Sequence, residues 1–143
     1  MQYSTNSIMN LISHLHSQSQ DFINRQLSAQ GLKELASSHG KIIYFLSQQG
    51  QMSLGELSKS INRDKSTTTV LVRKLEGSGL VELKKDENDS RKKIITLTRE
   101  GTKYTKTMEE ISRQLLVTSW KDFKPEEQTQ LLSYLTKLSE TLK

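Results

Sequence analysis

Between Ser53 and Thr96 the hydrophobic period of the chain drops from three-to-four to two, and that order admits few folds. Ser53 and Glu56 have the S-x-x-E spacing of a capping box, in which each side chain satisfies the other's free backbone N–H. Leu54, Leu57 and Ile61 follow at spacings of three and four, one apolar face of a short helix. Asn62-Arg63-Asp64 breaks the pattern. Asp64 restarts it as an N-cap, because a carboxylate accepts from free N–H groups and suits the positive helix end. The spacing predicts a second helix from about Lys65 to Glu76, with Thr68, Leu71, Val72 and Leu75 inward. Its outer face carries Ser66, Thr67, Thr69, Val70, Arg73 and Lys74. Gly77 and Gly79 supply the permissive backbone that ends it.

Past Gly79, Leu80, Glu82 and Lys84 alternate with Val81, Leu83 and Lys85, and the run Ile94–Thr98 is β-branched. Two such strands around the polar stretch Asp86–Lys93 predict a hairpin. Its loop is longer than a two-residue turn and should project. Arg91, Lys92 and Lys93 on it can then reach a phosphate or enter a minor groove. Two short helices followed by a basic hairpin suit a module that lays one helix in the DNA major groove.

The run "LGELSKSINRDKSTTTVLVRKLEGSGLVELKKDENDSRKKIITLTREG" resembles the winged helix-turn-helix of the MarR family of bacterial transcription regulators. The family's wing tends to read Asp-x-x-Asp-x-Arg, then Leu-Thr-x-x-Gly. Here those positions are Asp86, Asp89 and Arg91, then Leu97, Thr98 and Gly101. The segment "RKLEGSGLV" matches the family's turn into the wing, and a weaker resemblance extends over the whole chain. It implies a mainly α fold with a small β-hairpin wing, flanked by dimerisation helices. Residues 1–143 then form one domain: dimerisation helices at 1–30 and 122–143, a winged helix-turn-helix at 32–98, and a long connecting helix at 101–121. Val70 departs from the family, where the position is often basic. A valine there can touch a thymine methyl.

Segment 62–93 carries nine Lys/Arg against six Asp/Glu, within a chain of net charge +5. That basic excess fits a polyanion partner, although a solvated charged surface has the same count. Only 33% of the 143 residues are hydrophobic, which is thin for a lone monomer and leaves room for shared apolar surface. The flanks offer such surface. Ile8, Ile12, Leu15, Phe22 and Ile23 fall near one stripe within 1–30. Leu35, Ile42, Phe45 and Leu46 give an inward face to a helix over 32–48, with Gly50 as its stop. Tyr104, Met108, Ile111, Leu115 and Leu116 point inward along 101–121. Pro125 opens the last helix, where Leu131, Leu135, Leu138 and Leu142 recur at four, three and four. That stripe packs either within its own chain or, as the resemblance implies, across a twofold homodimer with Ile8, Ile12 and Leu15.

Within the DNA module, Ser66, Thr67, Thr69 and Val70 are expected near base edges, and Arg73 and Lys74 on phosphate. Arg91 is expected in the minor groove, with Lys92 or Lys93 on the flanking backbone. Asp89 is expected to brace Arg91 or another arginine, and Asp86 to shape the loop. Each acid also reads as an ordinary turn residue. The resemblance further implies a small-molecule effector that releases the DNA, bound in a cleft lined from 1–50 and 101–120.

No catalytic motif occurs, so no enzyme activity and no cofactor are expected. The absence of cysteine excludes disulfides, thiolate zinc sites and thiol switches. His14 and His16 are two apart and point to different faces of a helix, so they cannot chelate locally. Either one meeting His39 across the fold is the remaining metal reading, and no metal is the favoured one. No leader pattern and no bilayer-length apolar segment is present, so a soluble cytoplasmic protein is expected. The competing function is a winged-helix module that docks protein rather than DNA. Such a surface should show aromatic or aliphatic anchors, whereas the outer face here is Ser, Thr, Arg and Lys.

Overall fold

The structure, a computed structural model, describes residues 3–32, 35 and 37–143. Met1, Gln2, Lys33, Glu34 and Ala36, which the periodicity puts in the first two helices, lie outside the described residues. A short 3₁₀ turn, Thr5–Ser7, leads into α1 (Ile8–Ala29). Next come α2 (Ser37–Gln49), β1 (Gln51–Ser53), α3 (Leu54–Ile61) and α4 (Lys65–Gly77). The wing strands β2 (Val81–Lys85) and β3 (Lys93–Leu97) precede α5 (Arg99–Trp120) and α6 (Pro125–Thr141). The fold is mainly helical with a small antiparallel sheet, as expected. Two compact units are present: Asn24–Glu110, and the residues up to Ile23 together with Ile111–Lys143.

In the unit Asn24–Glu110 the sheet has three strands rather than the two of a simple hairpin, in the order β1-β3-β2. Met52 of β1 lies opposite Ile95 of β3, and Leu83 of β2 lies opposite the same residue from the other side. β1 has three residues, too few to show a period, which is why the alternation missed it. Ile95 and Met52 are buried, with Ile42 and Leu46 of α2, Leu57 and Ile61 of α3, and Val72 and Leu75 of α4. Thr68 is also fully buried, and its hydroxyl donates to the Asp64 carbonyl at 2.8 Å, so no polar atom is stranded.

Two left-handed residues shape the helix-turn-helix. Asn62 has φ 55° and ends α3: the Arg63 N–H donates to the Ser58 carbonyl at 3.0 Å and the Asn62 N–H to Lys59 at 3.2 Å. Gly79 has φ 76° and ends α4 in the same way, with Leu80 N–H on Leu75 at 3.0 Å and Gly79 N–H on Glu76 at 2.9 Å. These paired bonds satisfy carbonyls that a helix end leaves free. The inward face of α4 agrees with its spacing, and the helix runs one residue past Glu76 to Gly77.

Four local expectations need correction. Ser53 accepts from the Glu56 N–H at 3.1 Å, but the Glu56 carboxylate takes the Ser53 hydroxyl rather than its backbone N–H. Ser53 is also the last residue of β1, opposite Ile94, so it belongs to strand and cap at once. Thr98 leaves the strand run to cap α5, its hydroxyl accepting from the Gly101 N–H at 3.0 Å. The second helix starts at Ser37 rather than 32 and ends at Gln49 before Gly50, whose φ is 81°. Leu116 is exposed, because Tyr104, Met108, Ile111 and Leu115 complete a stripe at four, three and four that Leu116 does not share.

The other unit contains α6 and the first part of α1. Leu131 and Leu138 are half-buried, while Leu135 and Leu142 are exposed within the chain. Ile8 and Leu15 on α1 are exposed too, and Ile12 is half-buried. Among the described residues no helix is long and apolar enough to cross a membrane.

Candidate nucleic-acid interface

Helix α4 begins at a strong cap. The Asp64 carboxylate accepts from the Thr67 N–H at 2.7 Å. That bond, with help from the Thr67 side chain and Arg63, holds the Asp64 carboxyl below the usual carboxylate range. The cap therefore works across the neutral range and is lost as pH falls through the lowered value. From this start Ser66, Thr67, Val70, Arg73 and Lys74 project into solvent, and Thr69 is half-buried. Val70 is 67% exposed, a large apolar side chain held outward on an otherwise polar face.

The wing loop is closed by its own backbone and by two aspartates. Asp86 N–H donates to the Lys92 carbonyl, and Lys92 N–H to the Asp89 carbonyl, both at 3.0 Å. The Asp86 carboxylate accepts from the Asn88 N–H, and that of Asp89 from the Arg91 N–H, again at 3.0 Å. Both acids thus act as Asx-turn acceptors, which orders the loop and occupies oxygens that would otherwise face a phosphate. Asp89 meets Arg91 through the main chain rather than the guanidinium. The side chains of Arg91, Lys92 and Lys93 are all exposed.

The start of α4 and the wing meet across a cleft of about 300 Å³. Leu54, Val72 and Leu83 contribute apolar atoms to it, and Lys65, Thr69, Arg91, Lys92 and Lys93 contribute polar ones. Arg73 and Lys74 lie further along α4 and do not line it. Lys65 and Gly55 are additions to the residues expected from sequence. The signal for Lys65 was available, as a cation at the first position of the recognition helix.

The histidines separate. His14 and His16 are exposed on α1, whereas His39 is buried in α2. Among the described residues no group of three metal-ligating side chains comes together. The Nε2 of His39 is buried without a hydrogen-bond partner. Burial, and then the Lys74 charge, lower its pKa. A histidine whose folded pKa lies below its unfolded one disfavours the folded state when protonated. Stability is therefore full above the ordinary histidine value and falls as pH drops below it. Thermal melts from about pH 7.5 to about pH 5 should show this loss, and His39→Leu should remove part of it. Parallel pH profiles for the two proteins would contradict the burial of a neutral ring.

Comparison with known proteins agrees with the fold. A model of the MarR family matches residues 35–93. A Bacillus subtilis (strain 168) protein described as the uncharacterized HTH-type transcriptional regulator YwhA is 26% identical over 108 residues, covering 76% of this chain and 78% of the relative. The structure of S. aureus MepR bound to ethidium bromide is similar at 25% identity and a TM-score of 0.71, covering 99% of this chain and 98% of that one. A S. aureus MepR mutant bound to an oligodeoxyribonucleotide is similar at 23% identity and a TM-score of 0.67, covering 99% and 100%. The fold is therefore shared over nearly the whole chain.

Proposed function

We propose that the chain is a DNA-binding transcription regulator of the MarR family, whose model matches residues 35–93, and acts as a homodimeric repressor that grips a palindromic operator and is released by a small-molecule signal. The observation that carries this reading is that Lys65 and Thr69 at the start of α4 and the wing cations Arg91, Lys92 and Lys93 border one cleft, while the rest of the polar face of α4 lies exposed outside it. Ser66, Thr67, Thr69 and Val70 then read base edges, Arg73 and Lys74 hold phosphate, and Arg91 enters the minor groove. Lys92 and Lys93 hold the flanking backbone, with Asp86 and Asp89 supporting the loop. The exposed leucines of α6, Leu135 and Leu142, and Ile8 and Leu15 of α1 supply apolar surface for a second copy. A twofold axis through such a dimer matches two half-sites about 34–36 Å apart. The structures of MepR bound to ethidium bromide and of a MepR mutant bound to an oligodeoxyribonucleotide support an organic ligand and DNA as partners of this chain.

Selection of bound duplexes from a random pool tests this directly. Two inverted half-sites are expected, with affinity that falls steeply with salt as phosphate contacts release counterions. Absence of duplex binding at low salt would refute the reading. In the same selection Val70→Ala should change the preferred bases while leaving the salt slope alone, since an apolar contact neutralises no phosphate. An unchanged preference would take Val70 out of the base-reading set.

A further inference from the structure

We propose that Lys65 and Lys92 form the two walls of a seat for the DNA strand that divides the major groove from the neighbouring minor groove, and that this seat sets the register of α4. The inference rests on the DNA-binding reading above, adds Lys65 to it as a positioning residue and assigns the backbone contact of Lys92 to one strand. Lys65 is the first residue of α4, and Lys92 stands at the end of the wing loop, just before β3. Two adjoining clefts, of about 300 Å³ and about 590 Å³, share Ser53, Gly55, Lys65 and Lys92. The cations of α4 and of the wing therefore border the same space, although they lie far apart in sequence.

Three features make that space suited to a polyanion. First, Gly55 lines it without a side chain, next to Lys65, whose Cε lies 3.8 Å from where a Cβ would stand. Second, the acids beside it are engaged elsewhere. The Glu56 carboxylate accepts from the Ser53 hydroxyl at 3.1 Å and that of Asp64 from the Thr67 N–H at 2.7 Å. Among the described residues no carboxylate is within ion-pair distance of Lys65 or Lys92. Third, the cations continue past the pair, with Lys59 and Arg63 bordering one cleft and Arg91 and Lys93 the other. A run of cations along two adjoining clefts fits a backbone better than a single small anion.

Duplex geometry supplies the rest. A helix in the major groove and a wing in the adjacent minor groove must straddle the sugar-phosphate strand between them. The shared cleft lies between those two elements. Lysine suits that position, because its ammonium meets phosphate as a point charge and carries no base information. Contacts of this kind fix depth and orientation on the duplex, so the base-reading residues of α4 meet their edges in one register.

The test compares salt slopes. Wild type, the Lys65→Gln/Lys92→Gln double variant and a charge-matched Lys106→Gln/Lys137→Gln control are titrated with random duplex and with the selected operator. Each lysine on phosphate contributes about one to the slope of log affinity against log salt. The seat variant should lose about four per dimer, two for each protomer, and, with the register of α4 loosened, should prefer operator over random duplex less than wild type does. The control should lose less than one, since its charges act only through the screened field. The corresponding Arg double variant should restore the slope. Melting temperature checks that both exposed substitutions leave the fold intact. A seat variant with the slope of wild type or of the control overturns the seat and leaves DNA binding standing. Failure of wild type itself to bind duplex sinks the DNA-binding reading instead.

Discussion

Gly101→Ala should destabilise the protein by about 3 kcal/mol, the upper part of the range for overpacking a closely packed site. A Cβ at Gly101 would overlap the Leu80 carbonyl oxygen and crowd Leu97 Cδ2 at 3.2 Å. The Leu80 carbonyl cannot simply yield, because it accepts the Thr98 N–H at 3.0 Å. Nor can the start of α5. Thr98 caps that helix, and its hydroxyl also donates to the Gly79 carbonyl at 2.6 Å. The end of α4, the base of the wing and the first turn of α5 are thus joined at one backbone contact. A drop in melting temperature on the order of 10 °C is expected. Gly77→Ala is the matched comparison. Nothing lies within 4 Å of a Cβ there, so the change should be neutral or slightly stabilising through helix propensity. Equal melting temperatures for the two variants would show that α5 does not approach Leu80 this closely.

The second large effect concerns binding. Arg91→Ala should weaken operator affinity by about 1–3 kcal/mol while the proposed dimer stays intact. The wing presents Arg91 on a loop whose closure involves Asp86, Asp89 and Lys92, and its own N–H is fixed by the Asp89 carboxylate at 3.0 Å. A guanidinium on a held backbone loses less freedom on binding than one on a loose loop. Asp89→Ala should therefore also weaken binding, by less than Arg91→Ala. Asp89→Asn keeps a carbonyl oxygen as acceptor and should retain most of the affinity. Operator titrations and size-exclusion chromatography separate these outcomes. Unchanged operator affinity in Arg91→Ala would remove that residue from the interface.

Much of the DNA module was legible because its determinants are local. Ser53, Asp64, Asn62 and Gly79 all act on backbone groups within five residues of themselves. The inward face of α4 followed from a spacing that one helical turn imposes. The resemblance to the MarR family marked Gly101 as part of a motif, but gave no reason for it. The reason is the Leu80 carbonyl, a neighbour no period contains. The same applies to β1, which is defined by pairing with β3 rather than by its own three residues. His39 likewise read as a metal candidate beside His14 and His16 until burial distinguished it.

The sequence by itself determined where α3 starts and stops, where α4 starts and, within one residue, where it stops, which face of α4 turns inward, and that a basic wing follows it. These are choices made over one or two turns, where a cap, a left-handed residue or an apolar repeat acts without help from distant chain. Tertiary structure alone decided that β1 completes the sheet, that Gly101 must lack a side chain, that burial lowers the pKa of His39, and that Lys65 and Lys92 border one cleft. Each of these depends on groups remote in sequence occupying adjacent space, and close packing, not local propensity, selects which remote groups those are.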